Sequence, residues 1–396
     1  MGSKPRDHVE DLRGLGRLAV EATRGVTDLV EAMHHTIGEG PAVLGRPLAV
    51  PIRLLTGPVY GHIRAVTKLV GATLDVALGQ LAPLLGAGPA GPEREAVLGA
   101  LNGVLGDYLV ETHNPLAITM QLLHAGRTLD LGDLALPGAT RKLLVLVHGS
   151  SSTERGWLRQ GHDHGAALAA ELGYTAVYLH YNSGRHISTN GAELATLLDR
   201  LEGAWPGPLD EIVLLGHSMG GLVARSASHR AEVAEHAWRA KLRTLITVGA
   251  PHHGAPLERG GNWLHTLLGI SRYSAPLVRL GKIRSAGVTD LRYGNVLDEH
   301  WEGRDRFALA ADDRTPLPLP AGVACYALAG TTAAAAADRL PGDGLVPVDS
   351  ALGRHARPEL ELAFADRAIS FGTGHLDLLG RADVYAALRG WLAGTA

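Results

Sequence analysis

From Asp11 to His35, apolar residues recur at steps of three and four, at Leu12, Leu15, Ala19, Ala22, Val26, Leu29 and Met33. That period puts them on one face and predicts an amphipathic helix. A second helix is predicted over Val59–Leu85, through Ile63, Val66, Val70, Leu74, Leu78 and Leu81. A third is predicted over Glu93–Leu109, with Val97, Leu101, Val104 and Tyr108 on its stripe. The Gly- and Pro-rich stretches 38–58 and 85–92 between them read as turns.

After Asn114-Pro115 the pattern changes. Ala117–Leu123 and Arg127–Leu131 flank a turn at Gly126 and predict an antiparallel hairpin. Short apolar runs then alternate with helical patterns: strands at 142–147, 175–179, 211–215, 242–249, 323–329 and 367–371, and helices around Leu168, Leu194–Leu201, Gly221–His229 and Val384–Leu392. Strand-helix alternation predicts an α/β domain, with a mostly parallel central sheet and helices on both faces. The division that follows is an N-terminal helical region, 1–114, and a main domain, 115–396. Within the latter, about 254–321 is too irregular for one crossover and reads as a helical cap or lid. Its Trp263 and Leu264 are candidate substrate contacts lining an apolar pocket.

In parallel sheets the reactive groups gather beyond the C-terminal strand ends. One strand end stands out. The run Glu211-Ile212-Val213-Leu214-Leu215 leads through Gly216-His217-Ser218-Met219-Gly220-Gly221 into a helical pattern. This is the strand, tight turn and helix of a G-x-S-x-G nucleophile elbow, in which small neighbours let strand and helix approach and the serine stands exposed on a strained turn.

A serine hydroxyl needs a histidine to take its proton and a carboxylate to orient that histidine. After an elbow serine the carboxylate precedes the histidine in the chain. Asp343, in Gly342-Asp343-Gly344, follows a strand, and His375, in Gly372-Thr373-Gly374-His375, follows the last one. Ser218, His375 and Asp343 are the candidate triad, with Asp338, Asp349 and Asp366 as competing carboxylates. The oxyanion needs two backbone donors. Met219, directly after the serine, supplies one; Ser150, after the strand ending at Val147, supplies the other, with Ser151 as its alternative and a candidate substrate contact.

These residues resemble the α/β-hydrolase superfamily, in particular bacterial lipases and esterases and inositol-deacylase-type lipases. The resemblance is carried by His148-Gly149, Gly216–Gly221, Gly249-Ala250-Pro251-His252-His253-Gly254, Gly342–Pro347 and Gly374–Asp377, and it covers about Pro115 to the C-terminus. It implies an α/β-hydrolase fold and Ser-His-Asp acyl transfer on Ser218, His375 and Asp343, without an organic cofactor. Some such lipases hold calcium through an aspartate two residues after the histidine. Asp377 occupies that position, with Asp312 or Asp313 as a possible partner, although a carboxylate opening a helix explains Asp377 as well.

The resulting expectation is a carboxylic-ester hydrolase acting on apolar acyl substrates. An acyltransferase, thioesterase or polyester depolymerase would use the same triad, and a lipid-surface or protein-binding module built on the N-terminal helices is the reading of another class. Composition narrows the partners. The 396 residues are 46% hydrophobic and 19% charged, with a formal net charge of -3, which gives no reason to expect nucleic acid. The expected partner is a small-molecule or lipid ester; peripheral lipid contact and oligomeric state stay open. Cys325 is the only cysteine, so no intrachain disulfide forms. The N-terminus lacks the apolar run of a secretory signal, and no window offers about 20 uninterrupted apolar residues, so the expected location is cytoplasmic. His162-Asp163-His164 and His252-His253 lack a third ligand for a metal, and Arg185 beside a strand end reads as a loop-stabilising residue or an anion contact.

Overall fold

The computed structural model describes residues 92–255, 285–305 and 312–394. The helices predicted at 11–35 and 59–85, together with Trp263 and Leu264, lie outside the described residues.

The chain builds one eight-stranded sheet. The hairpin forms as β1 (Gln121–His124) and β2 (Arg127–Thr128), in the register Leu123↔Thr128. It is shorter than the sequence pattern. Then come β3 (Lys142–Val147), β6 (Thr175–His180), β7 (Glu211–His217), β8 (Leu242–Val248), β9 (Ala324–Thr331) and β10 (Asp366–Phe371). A two-stranded ribbon, β4 (Leu158–Arg159) with β5 (His162–Asp163), stands apart. The order across the large sheet is β10-β9-β8-β7-β3-β6-β1-β2, parallel from β10 to β6 and antiparallel where β1 joins β6 and β2.

Alternation along each strand divides the core into two layers. Leu143, Val145 and Val147 of β3 and Ile212 and Leu214 of β7 pack with the helices at 187–204 and 219–233. Leu144 and Leu146, with Val213 and Leu215, pack on the other face with the helices at 164–172 and 382–393. Every one of these strand residues is fully buried or nearly so. Strands covered on both faces read as continuous apolar runs, which is why their positions were legible.

The helices in chain order are α1 (Pro92–Glu111), α2 (His164–Leu172), α3 (Ile187–Ala204), α4 (Met219–Val233), α5 (Ala286–Asp290), α6 (Val348–Ala351) and α7 (Ala382–Ala393). α1 departs from the amphipathic stripe expected of it. Val97, Leu98, Ala100, Leu101, Val104, Leu105 and Leu109 are all buried, so apolar contacts surround most of the helix. Its glycines let other backbone come close: a Cβ at Gly99 would sit 2.8 Å from Ser152 O, and one at Gly103 2.6 Å from Ser151 Cα. Asn102, buried, bonds the carbonyls of Leu98 and Leu116 and the amide of Ile118. Asn182 Nδ2 donates to Gly106 O, and Ser285 Oγ to Gly103 O. Contacts therefore cross residues 114/115 and tie α1 to loops of the main domain.

β3 lies between β6 and β7, so the chain leaves β3 toward one side of the sheet and leaves β7 toward the other. The pair β3 and β7 thus marks the topological switch point of the sheet, the place beyond whose C-terminal strand ends ligands bind in open sheets of this kind.

Candidate active site

Ser218, 5% exposed, stands at that switch point. It follows β7 directly and caps α4, with φ 55° and ψ -126°, a strained conformation for a residue with a side chain. Close approach explains the glycines around it. A Cβ at Gly216 would meet Gly221 Cα at 2.5 Å, and one at Gly220 would meet Val147 O at 2.1 Å. The Ser218 amide donates to Val248 O at 2.8 Å, tying the turn to the end of β8.

Asp343 and His375 come together at the ends of β9 and β10. His375 Nδ1 and Asp343 Oδ2 are 2.7 Å apart, and both residues are buried. The backbone repeats the link, because His375 N donates to Asp343 O at 2.9 Å. The other carboxylate oxygen accepts from the amides of Val346 at 2.8 Å and Leu345 at 3.0 Å. Burial alone would raise the Asp343 pKa; His375 and the two amides outweigh it and hold the carboxyl below its usual range. An ionised Asp343 fixes the proton of His375 on Nδ1 and leaves Nε2 as the free base.

The end of β8 borders both the Asp343–His375 pair and the turn at Ser218. A Cβ at Gly249, one residue beyond the carbonyl that accepts from Ser218, would lie 3.4 Å from both Asp343 Oδ2 and His375 Cε1. On the other side, a Cβ at Gly149 would lie 3.0 Å from Ser218 Cβ, so the loop after β3 borders the serine side chain. Ser150 is buried there and its Oγ has no hydrogen-bond partner. Met219, fully buried, is the first residue of α4. Ser151 has φ 56°, and its amide donates to Ser183 Oγ at 3.0 Å, which occupies the donor.

The fold is an α/β fold built on a mostly parallel sheet with helices on both faces. Two histidines around the site have partners that the sequence reading did not supply. His217 sits wholly inside with its Nε2 3.1 Å from His375 O, and burial, then the charge of His375, pushes its pKa down to about 3. His148 stacks on Tyr181 with ring centroids 4.3 Å apart, while the Tyr181 hydroxyl donates to His148 O at 2.9 Å. The first was visible as the residue between Gly216 and Ser218; nothing in the sequence paired either histidine with its partner.

Other sequence candidates have separate duties. Arg185 pairs with Glu193 on α3, which makes it the loop-stabilising residue of the two readings. Asp377 opens a 3-10 turn and faces Arg159 at 3.5 Å, whereas Asp312 is held by Arg314 and Asp313 by Arg304. His162 bonds His164 at 2.9 Å, and Asp163 caps α2. Among the described residues no group of three or more His, Cys, Asp or Glu is placed to hold a metal ion.

Residues 121–289 match a family model described as a domain of unknown function, DUF7379. A 68-residue stretch is 40% identical to the GPI inositol-deacylase of Emericella nidulans; it spans 17% of this chain and 6% of that protein's length. Among solved structures, the mature lipase BlEst2 of Bacillus licheniformis is similar at 16% identity and a TM-score of 0.40, over 69% of this chain and 98% of that one. A lipase-esterase related protein from Clostridium acetobutylicum is similar at 12% identity and a TM-score of 0.39, over 70% and 100%. No helix among the described residues is long and apolar enough to cross a membrane.

Proposed function

We propose that the chain is a serine hydrolase of carboxylic esters. The observation that carries the reading is the buried Asp343–His375 pair, 2.7 Å apart, which follows β9 and β10 of the sheet whose β7 leads into a serine in a strained turn. In this reading His375 Nε2 takes the Ser218 proton as Oγ attacks the ester carbonyl. Asp343 holds and charge-stabilises the imidazolium, and the amides of Met219 and Ser150 stabilise the oxyanion. The protonated His375 then delivers its proton to the departing alkoxide. Water, activated by the same imidazole, releases the acid from the acyl-enzyme.

A thioester would pass through the same steps with a thiolate leaving group, so a thioesterase is the second reading. Labelling by a fluorophosphonate probe tests the activated serine. Wild type should label covalently, and Ser218→Ala and His375→Ala should not. Labelling of folded Ser218→Ala at the wild-type rate would remove the proposal. Rates on a matched ester and thioester then separate the two leaving groups.

A further inference from the structure

Arg225 lies two turns into α4 and is 5% exposed, yet among the described residues its guanidinium meets no carboxylate. Its bonds go to neutral acceptors, from Nη1 to His252 Nδ1 at 3.1 Å and from Nη2 to Leu317 O at 2.7 Å. Its Nε is buried without a hydrogen-bond partner. His252 offers no negative charge: with Nδ1 accepting, its Nε2–H faces Thr247 Oγ1 at 3.1 Å, and burial with the adjacent guanidinium keeps the ring neutral.

A second buried cation, Arg314, 8% exposed, acts on this charge. Asp312 answers that charge with two hydrogen bonds, at 2.8 and 2.9 Å, while Arg314 Nη1 donates to the carbonyls of Gly294 and His252. One carboxylate thus serves Arg314, and Arg225 keeps an interior positive charge. Burial, followed by Arg314, lowers its pKa to about 10, which leaves it charged at neutral pH. An uncompensated interior charge costs several kcal/mol, and a guanidinium does not escape by losing its proton.

A cavity of about 80 Å³ adjoins this charge, lined by Arg225, Arg314, His253, His300 and the Thr315–Pro318 strap. A single water needs about 10–15 Å³ of such space, so the cavity holds several waters or one small oxyanion. Two carboxylates share its lining, and each has its own cation: Glu359 lies 3.7 Å from Arg357, and Glu361 3.1 Å from Arg367. A neighbouring cavity of about 650 Å³ also touches Arg225, but Glu232, Asp298, Glu299 and Glu302 line it and disfavour an anion.

We propose that the smaller cavity binds a small oxyanion of the phosphate kind, free or as the end of a phosphomonoester, with Arg225 as its principal ligand. The anion would accept from the guanidinium protons of Arg225 that His252 and Leu317 leave free, in charge-assisted hydrogen bonds. It would tie α4, which begins at Ser218, to the His252 loop and the strap. Binding to the folded state alone raises stability with ligand concentration. The site stands whether or not the ester chemistry does.

The test uses the full chain, by calorimetric titration and thermal melting with inorganic phosphate at constant ionic strength. A saturable heat near one site per chain and a saturable rise in Tm are expected, with no rise from matched sodium chloride. Glycerol phosphate, titrated in parallel, separates the sources: binding admits a phosphomonoester, and phosphate binding alone restricts the site to the free ion. Arg225→Gln should abolish the shift, and Arg225→Lys should weaken binding about tenfold or more, because the planar fork is lost. Absence of saturable binding to folded wild type overturns the proposal even where neither variant folds. Equal binding by a folded Arg225→Gln protein also overturns it.

Discussion

His217 Nε2–H donates to the main-chain carbonyl of His375 at 3.1 Å. The residue that precedes the elbow serine therefore grips the loop that carries the histidine. Since a carbonyl only accepts, the Nε2 proton is fixed, and a neutral ring in that tautomer leaves Nδ1 bare. His217→Phe keeps the volume and removes the donor. The expected result is a kcat lower by about tenfold, the equivalent of one hydrogen bond of about 1.4 kcal/mol, with KM nearly unchanged. An unchanged kcat would mean that the loop is held by its other bonds.

Asp343→Asn tests the carboxylate separately. The amide preserves the shape while losing the charge that fixes the His375 proton on Nδ1. A kcat loss of roughly 10⁴-fold is expected in an enzyme of this mechanism. Circular dichroism should show an intact fold, and a loss under tenfold would point to another carboxylate.

Two buried histidines make stability depend on pH. Burial pushes the pKa of His217 to about 3 and that of His148 to about 4, whereas in the unfolded chain both titrate near 6.5. Between those values the unfolded state binds more protons. Stability therefore falls as pH is lowered from 6.5, by about 1.4 kcal/mol per unit for each ring. Asp343, with a depressed pKa, adds a stabilisation that is complete above the unfolded carboxylate pKa and lost as pH falls through its folded value. Urea melts of wild type and His148→Phe at pH 7 and 5 measure this. The variant keeps an aromatic ring for Tyr181 and should show the shallower slope; parallel slopes would contradict neutral burial of His148.

Gly103 of α1 faces Ser151 so closely that an added Cβ would lie 2.1 Å from Ser151 Oγ and 2.6 Å from its Cα. Gly103→Val should therefore push the loop after β3 away and destabilise the fold by about 1–3 kcal/mol. Because that loop borders Ser218, fluorophosphonate labelling should slow as well. A variant with wild-type stability would show that the loop yields freely.

The sheet was legible because its strands are covered on both faces and write themselves as unbroken apolar runs, as Val213–Leu215 does. Ser218 was legible because the elbow demands small residues at 216, 220 and 221, a demand local in sequence. Asp343 and His375 were candidates from chain order and from their place after strands, whereas the 2.7 Å contact between them, across 32 residues, was not legible. The bond between His217 and His375 spans 158 residues and left no local trace. The stripe expected of α1 recorded only part of what the helix buries. A period of 3.6 marks one apolar face, whereas Leu98 and Leu105, off that stripe, are buried as well, and the glycines that Ser151, Ser152 and Asn182 approach carry no apolar signal.

The seating of α1 also sets a timetable for the chain during synthesis. The helix is made before any strand of the sheet, but its contacts reach 76 residues ahead to Asn182 and 182 residues ahead to Ser285. Contacts of such separation form late and slowly. When Ser218 leaves the ribosome, residues 285–287 have yet to arrive, and His375 follows them by almost a quarter of the 396 residues. A chain interrupted before residue 285 thus carries Ser218 without a segment that packs on α1 and without the Asp343–His375 pair.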